Sequence, residues 1–307
     1  MDILRALFVD PFAQMIAAPD LLIQTIWEGF VAGVLYSLIA LGFVLIYKAS
    51  GVFNFAQGIM MVFAALTLVG LHEKGVPAWA ALIATIGVMY GLALAVERLV
   101  LRPLVNQPDI ILFMATFGVT YFLIGFGELV FGGNPKSMIA RELYLPNGTL
   151  DLHVLGGKVE LQKLDIAAAA IALTMVVSLA SFFQRTRIGR ALRAVADDHQ
   201  AALSVGISLN QIWVVVWFTA GVVALATGIF WGARSEVSFA LQVVALKALP
   251  VLILGGLIIG VGEKLGEFYW GPLLGGGIES WLAYFIALVF LLFRPQGLFG
   301  ERIIERV

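Results

Sequence analysis

L-L-I-Q-T-I-W-E-G-F-V-A-G-V-L-Y-S-L-I-A-L-G-F-V-L-I-Y (Leu21–Tyr47) holds a single charged side chain, Glu28, and ends against Lys48. As a helix it exceeds the roughly 20 apolar residues that cross about 30 Å of hydrocarbon. Seven more apolar runs follow, at Phe53–Leu71, Ala78–Leu101, Ile110–Phe131, Asp165–Phe183, Ile212–Trp231, Val243–Val261 and Pro272–Phe293. They are continuous rather than alternating, so they do not read as strands of a membrane β-barrel. The expected fold class is all-α: a polytopic membrane helix bundle of about eight spans, forming a single transmembrane domain over residues 1–307.

Composition agrees. Hydrophobic residues make up 61% of the chain and charged ones 13%, where a soluble domain carries about a quarter charged residues. A net charge of −1 and the lack of a basic tail give no nucleic-acid footprint. With no cysteine, disulfides, thiolate metal sites and lipidated cysteine anchors are excluded. Residues 1–20 do not read as a cleavable signal, because Asp10, Pro11 and Asp20 interrupt the apolar stretch. They are expected to lie along the interface as an amphipathic segment.

Orientation follows from Lys and Arg in short loops, which favour the cytoplasmic side. Lys48, Arg98, Arg102 and the cluster Arg185, Arg187, Arg190 and Arg193 share that side if the first span runs inward. Residues 132–164 are then external. Their punctuation by Gly132, Gly133, Pro135, Pro146, Gly148, Gly156 and Gly157 reads as a hairpin-rich cap. Residues 184–210 become the conspicuous cytoplasmic loop.

Glycines four apart (Gly29/Gly33, Gly87/Gly91, Gly228/Gly232, Gly262/Gly266) permit close approach of helices. Asn54, Gln57 and Gly58 inside an apolar stretch point to broken or re-entrant helices, which membranes tolerate only where the backbone is buried in protein or lines a cavity. Glu28 and Glu279 each lie about 10 Å inside an apolar run by helical rise. They are candidates for a pathway or for pairing between helices, and both readings stand.

Enzymatic chemistry finds no footing. His72, His153 and His199 are scattered without ligand spacing, and neither a G-x-S-x-G elbow nor a phosphate-binding G-x-x-x-x-G-K-[ST] loop occurs. A non-catalytic membrane chain with no cofactor or metal is expected. Such a chain with one prominent cytoplasmic loop is expected to take its energy or signal from a partner docked there.

Four segments, in order, resemble the Liv-type permeases of branched-chain amino-acid ABC importers. They are G-V-L-Y-S-L-I-A-L-G-F-V-L-I-Y-K-A-S-G-V-F-N-F-A-Q-G (Gly33–Gly58), R-T-R-I-G-R-A-L-R-A-V-A-D-D (Arg185–Asp198), L-K-A-L-P-V-L-I-L-G-G (Leu246–Gly256) and F-R-P-Q-G-L-F-G (Phe293–Gly300). The resemblance implies a multi-pass subunit of the bacterial inner membrane, surrounded by membrane lipid. Its implied partners are a second permease subunit, two ATPase subunits and a periplasmic substrate-binding protein. Gln200-Ala201-Ala202 followed by Gly206 is similar to the E-A-A-x-x-x-G element with which such permeases dock on their ATPases. Arg187, Gly189, Arg190, Arg193 and Asp197 are expected to flank that contact, the charges setting orientation, and Asp197–Ile207 to form the docking helix. N-F-A-Q-G is similar to the family's N-F-A-H-G, with Gln57 keeping a hydrogen-bonding group and losing a titratable one. Asn54 is expected to cap a half-helix there. Asn54, Gln57 and Gly58, with Thr116, Glu28 and Glu279, are the expected substrate path, the amides facing a polar cavity. A urea or short-chain amide permease of the same family, and a self-sufficient channel or secondary carrier, are the alternatives.

The chain also departs from the family. After Leu252–Leu257, relatives carry about ten more glycine-, serine- and proline-containing residues that are missing before Gly260 and Gly262. Counted as straight spans, the eight runs would also leave Arg294, Arg302 and Arg306 outside, against the positive-inside bias. Loss of a re-entrant loop, with impaired transport, is the expectation that joins the two observations.

Overall fold

A computed structural model of the chain describes residues 2–51, 53–104, 107–154, 157–197, 202, 204 and 206–294. Helices α1 (Asp2–Phe8) and α2 (Asp10–Ala17) lead into the long α3 (Pro19–Ser50), then α4 (Gln57–Glu73) and α5 (Ala78–Ala95). A π-helical turn (Val96–Leu101) and a 3-10 turn (Arg102–Leu104) extend α5. After α6 (Asp109–Phe131) comes an antiparallel hairpin, β1 (Thr149–Val154) with β2 (Gly157–Gln162), in the stretch expected to be external. Then follow α7 (Lys163–Arg185), α8 (Arg187–Asp197), α9 (Leu209–Arg234), α10 (Gln242–Leu246), α11 (Ala248–Leu254), α12 (Gly256–Leu274) and α13 (Leu282–Phe293). The chain is an all-α polytopic membrane protein. Among the described residues five helices are long and apolar enough to cross a membrane: Pro19–Ser50, Ala78–Leu104, Ile110–Phe131, Lys163–Arg185 and Leu209–Arg234.

Three of the expected spans are corrected. The helix of the second begins at Gln57 rather than Phe53, because residues 53–56 form a non-helical break. Val243–Val261 is not one straight span: the chain turns by 117° between Phe239–Leu252 and Gly256–Leu274. Gly255 stands at the turn with φ +87°, a backbone state that side chains with a Cβ rarely adopt. Pro272–Phe293 is likewise divided, because Gly275, Gly276 and Gly277 all take positive φ between α12 and α13.

The contacts divide the chain into two compact units. The first comprises Met1–Ser37, Pro146–Ala170 and Lys247–Val307. In it Gly29 and Gly33 of α3 meet Gly260 and Gly256 of α12 in reversed order, and a methyl group on Gly33 would collide with the Gly256 carbonyl. The two helices therefore touch backbone to backbone and run antiparallel, the close approach that small residues allow within lipid. Gly262 and Gly266 face Ile286 and Leu282 of α13, again in reversed order. So α13 runs in the same direction as α3. The β-hairpin is fastened to α3 by a reciprocal pair, Gln24 Nε2 donating to the Glu160 carbonyl (3.0 Å) and Glu160 N–H to Gln24 Oε1 (2.9 Å). The N-terminal helices lie on α12, where Trp270 Nε1 donates to the Leu7 carbonyl and its ring meets Phe12 edge-on.

The second unit comprises Leu38–Leu145 and Ile171–Leu246. Its centre is α4, buried at every residue from Gln57 to Gly70, as expected of a helix that is apolar all round. It packs on α5, α6 and α9. At Gly228 of α9 a methyl group would come within 2.6 Å of the Met61 carbonyl oxygen. Gly87 and Gly91, expected to pack in the same way, have open space around them.

Candidate functional site

The break before α4 brings the N-F-A-Q-G residues together. A chain that leaves the helix at membrane depth must satisfy its freed N–H and C=O groups within the protein. Thr116 of α6 accepts from Phe55 N–H (3.2 Å), its hydroxyl also lying 3.4 Å from the Phe53 carbonyl and 2.8 Å from that of Phe113. Asn54 Oδ1 accepts from Ala56 N–H (3.0 Å), so Asn54 closes a turn two residues long rather than capping α4, whose N-cap residue is Ala56. Gln57 reaches α9, Nε2 donating to the Ala220 carbonyl at 3.3 Å, while its Oε1 has no partner among the described residues. Asn54, Gln57 and Thr116 are all buried.

These polar groups hold the break, and the phenylalanines between them present a surface. A cavity of about 210 Å³ opens beside it, walled by Phe43, Phe53, Phe55, Gly58, Phe117 and Tyr121, with Gln242, Ala245 and Leu246 on the side of α10. The rings form a ladder: Phe43 stacks on Phe53 (4.8 Å between centroids), Phe53 meets Phe55 edge-on (5.2 Å), and Phe55 stacks on Phe117 (4.3 Å). Of the expected path residues Gly58 alone lines this cavity, and a methyl group there would lie 2.8 Å from both Ala245 Cβ and the Gln242 carbonyl oxygen. The expectation that the amides face a polar cavity is corrected. Buried amides are most stable when bonded to backbone, which leaves the apolar side chains of the motif to form the wall. Phe55 stands within N-F-A-Q-G and Phe53 directly before it, so the signal was present. Their role depends on which face the break turns outward, and no periodicity encodes that.

Glu28 and Glu279 belong to the first unit. Glu28 accepts from Gln24 one turn earlier at 3.0 Å. Glu279 is not seven residues inside a span but in the short turn Ile278–Ser280, because the three glycines have already ended α12. It belongs to an ionic network: Lys264 Nζ lies 2.8 Å from its Oε2, and Lys247 Nζ lies 3.5 Å from its Oε1 and 3.0 Å from Glu263 Oε1. Tyr36 donates to the same Glu263 oxygen at 3.0 Å. Glu263 is fully buried, and Lys247 and Glu263 stand on either side of the bend at Gly255, so the pair staples its two arms. Nothing in their sequence spacing joins these two residues, because a straight helix would hold them more than four turns apart.

At the arginine segment the first turn of α8 is capped by Thr186, whose hydroxyl accepts from Gly189 N–H at 3.1 Å. Gly189 is needed because a methyl group there would collide with the Phe183 carbonyl. Arg193 donates to the carbonyls of Phe183 and Gln184, and Arg190 to that of Arg185. Both therefore satisfy the free carbonyls and negative dipole end of α7, a local use beside the rim role expected of them. Arg187 is exposed. Of the expected docking helix Asp197–Ile207, Asp197 is helical within α8, the last described residue before 202. Ala202 is helical and buried, and Gly206 (φ +83°) ends that turn, with Ile207 N–H donating to the Ala202 carbonyl at 3.0 Å. Gln200 and Ala201 lie outside the described residues.

The family described as "Branched-chain amino acid transport system / permease component" matches residues 25–293. The chain belongs to this family. Among similar permeases is the high-affinity branched-chain amino acid transport system permease protein BraD of Pseudomonas aeruginosa, 28% identical over 93% of this chain and 98% of its own. LivH of Escherichia coli strain K12, of the same description, is 23% identical over 93% and 97%. A probable branched-chain amino acid transport permease protein LivH of Methanocaldococcus jannaschii is 26% identical over 86% and 88%. No solved structure matches the permease.

Proposed function

We propose that this permease is the membrane subunit of an ATP-binding-cassette importer for branched-chain amino acids, inert alone and driven by separate ATPase subunits. The observation that carries this reading is the family match across nearly the whole membrane-spanning part of the chain. A second permease subunit, two ATPases and a periplasmic binding protein complete the importer in the inner membrane. Residues 184–210 meet the ATPase through Arg187 and the short turn before Gly206. The aromatic cavity beside Phe53, Phe55 and Gly58 forms part of the substrate path, its apolar wall suited to an aliphatic side chain.

Orientation supports the same reading. With the Lys48 end of α3 cytoplasmic, α12 runs outward and α13 inward, because α13 shares the direction of α3. Arg294, next after α13, then lies on the cytoplasmic side. The bend at Gly255 acts as a re-entrant turn, and the conflict with the positive-inside bias disappears. A protease site placed after residue 307 should be cut in inside-out vesicles and protected in intact cells; the reverse pattern defeats this topology.

The functional test is uptake into proteoliposomes. Radiolabelled leucine should enter only when the permease is reconstituted with a cognate ATPase pair, binding protein and ATP. Uptake without ATPase identifies a self-sufficient carrier, and ATP-driven uptake of urea or acetamide with none of leucine identifies an amide importer. Either result overturns the proposal.

A further inference from the structure

The end of α5 builds a second feature that the transport reading does not use. Its π-helical turn carries Glu97, almost fully buried, whose two carboxylate oxygens accept from Arg102 Nε (3.0 Å) and Nη2 (3.3 Å). Asn210 of α9, with its amide nitrogen turned toward Glu97, donates to Glu97 Oε1 (3.3 Å) and accepts from Arg102 Nη2 (3.1 Å). This clamp fixes the guanidinium plane through one edge. The two Nη1 donors are left without a partner among the described residues, on a side chain that remains 47% exposed. An arginine held in this way presents Nη1 as a preorganised cationic donor for an oxyanion. Arg98, one turn earlier, is exposed and pairs with no carboxylate among the described residues. With Glu97 balancing one arginine, the group keeps a net positive charge.

Beside it runs a groove of about 450 Å³ between the end of α5 and α6, lined entirely by apolar residues, among them Leu92, Leu99, Pro103, Ala115, Gly118 and Phe122. Leu99 and Pro103 directly follow the two arginines in sequence. A methyl group on Gly118 would meet nothing within 4 Å, so the glycine leaves space rather than packing a neighbour.

We propose that this groove holds an acyl chain of an anionic phospholipid whose phosphate is bound by Arg98 and Arg102. Charge complementarity selects the occupant. A groove bare of polar groups suits a hydrocarbon chain, and cations at a helix end near the interface suit the phosphate of the same molecule. A neutral lipid would fill the groove and leave the arginines unused. A protein partner would need an acidic side chain beside an apolar one to do the same.

The test uses the full-length permease in detergent. Its melting temperature is followed while phosphatidylglycerol, phosphatidylcholine with the same acyl chains, or glycerol phosphate is added. Phosphatidylglycerol should stabilise the protein, the neutral lipid less, and glycerol phosphate not at all. Arg98→Gln should raise the phosphatidylglycerol concentration needed for a given stabilisation about fivefold, the usual worth of one cation near an anionic headgroup, and leave the phosphatidylcholine effect unchanged. Gly118→Leu, which fills open space, should weaken both lipids alike. Equal stabilisation by glycerol phosphate, which would make a phosphate-only site, overturns the proposal. So does an undiminished phosphatidylglycerol effect in both variants, or a change of oligomeric state in Gly118→Leu with its lipid response intact, which would mark the groove as a protein interface.

Discussion

The break before α4 and the bend at Gly255 have their backbones secured by opposite means. The break before α4 is held by neutral groups: Thr116 on Phe55 N–H, Asn54 on Ala56 N–H, and Gln57 on the Ala220 carbonyl. The bend at Gly255 is held by charge and by bare backbone contact: Lys247 on Glu263, and Gly256 and Gly260 against Gly33 and Gly29. Neutral hydrogen bonds fix a backbone locally and leave the intervening side chains free to face a cavity. An ion pair between two arms fixes a helix crossing, but it buries a carboxylate that tolerates no loss of its partner. One break is built to present a surface and the other to keep an angle.

That contrast can be broken most severely at the glycine contact. Gly33→Leu drives a side chain into the Gly256 backbone, which has no flexible end to yield. The expected outcome is loss of the folded permease, read as absence of a monodisperse peak after solubilisation. A normal peak with an unchanged melting curve would show that the α3–α12 contact is dispensable.

Next comes the staple. Lys247→Met leaves Glu263 buried without its cation and should cost about 3–5 kcal/mol. The double change Lys247→Met with Glu263→Gln should recover most of that loss, since the pair itself is worth far less than the penalty of dividing it. Thermal unfolding of the three variants decides, and a double variant as unstable as the single one argues against an ionic staple.

The neutral break should respond less. Thr116→Val leaves the Phe55 N–H without its acceptor and should destabilise by about 1–3 kcal/mol. Leucine uptake should fall further than the amount of folded protein, because Phe53 and Phe55 shift at the cavity. Thr116→Ser keeps the oxygen and should restore uptake; failure of that rescue would separate Thr116 from the path.

Smallest is the external hairpin. Hydrogen bonds to Glu160 and then Asp151 raise the pKa of Lys158 above its ordinary 10.5. A cation whose pKa is raised on folding contributes fully below its unfolded value and loses that contribution only as pH rises through the raised one. Lys158 is exposed, so screening leaves little to lose. Lys158→Met should therefore leave the melting temperature unchanged at neutral pH, and a clear shift would reveal a load on the hairpin that its geometry does not show.

How much of the site was legible can be judged residue by residue. N-F-A-Q-G marks a break because amides and glycine interrupt an apolar run, and Thr116 of α6 does stand beside it. The division of labour was not legible: buried amides turn to backbone, and Phe53 and Phe55 form the wall. Arg190 and Arg193 read as rim charges, yet the free carbonyls at the end of α7 engage both, a demand that arises only once α7 and α8 meet at Gly189. Glu279 looks intramembrane in sequence because an apolar run hides three positive-φ glycines.

By itself the sequence determined that this chain is helical and crosses a membrane, because within hydrocarbon the backbone N–H and C=O groups of apolar runs have few other ways to be satisfied. It also determined the family, through an ordered set of motifs, and the positions of breaks, through glycine and buried amides. The tertiary structure decided which run is a bend rather than a span, and hence the direction of α13. It also decided which side chains line a cavity and which carboxylates find lysines. Those outcomes depend on contacts between residues far apart in the chain, such as Gly33 with Gly256 or Tyr36 with Glu263, whose pairing free energy exists only after the helices have met.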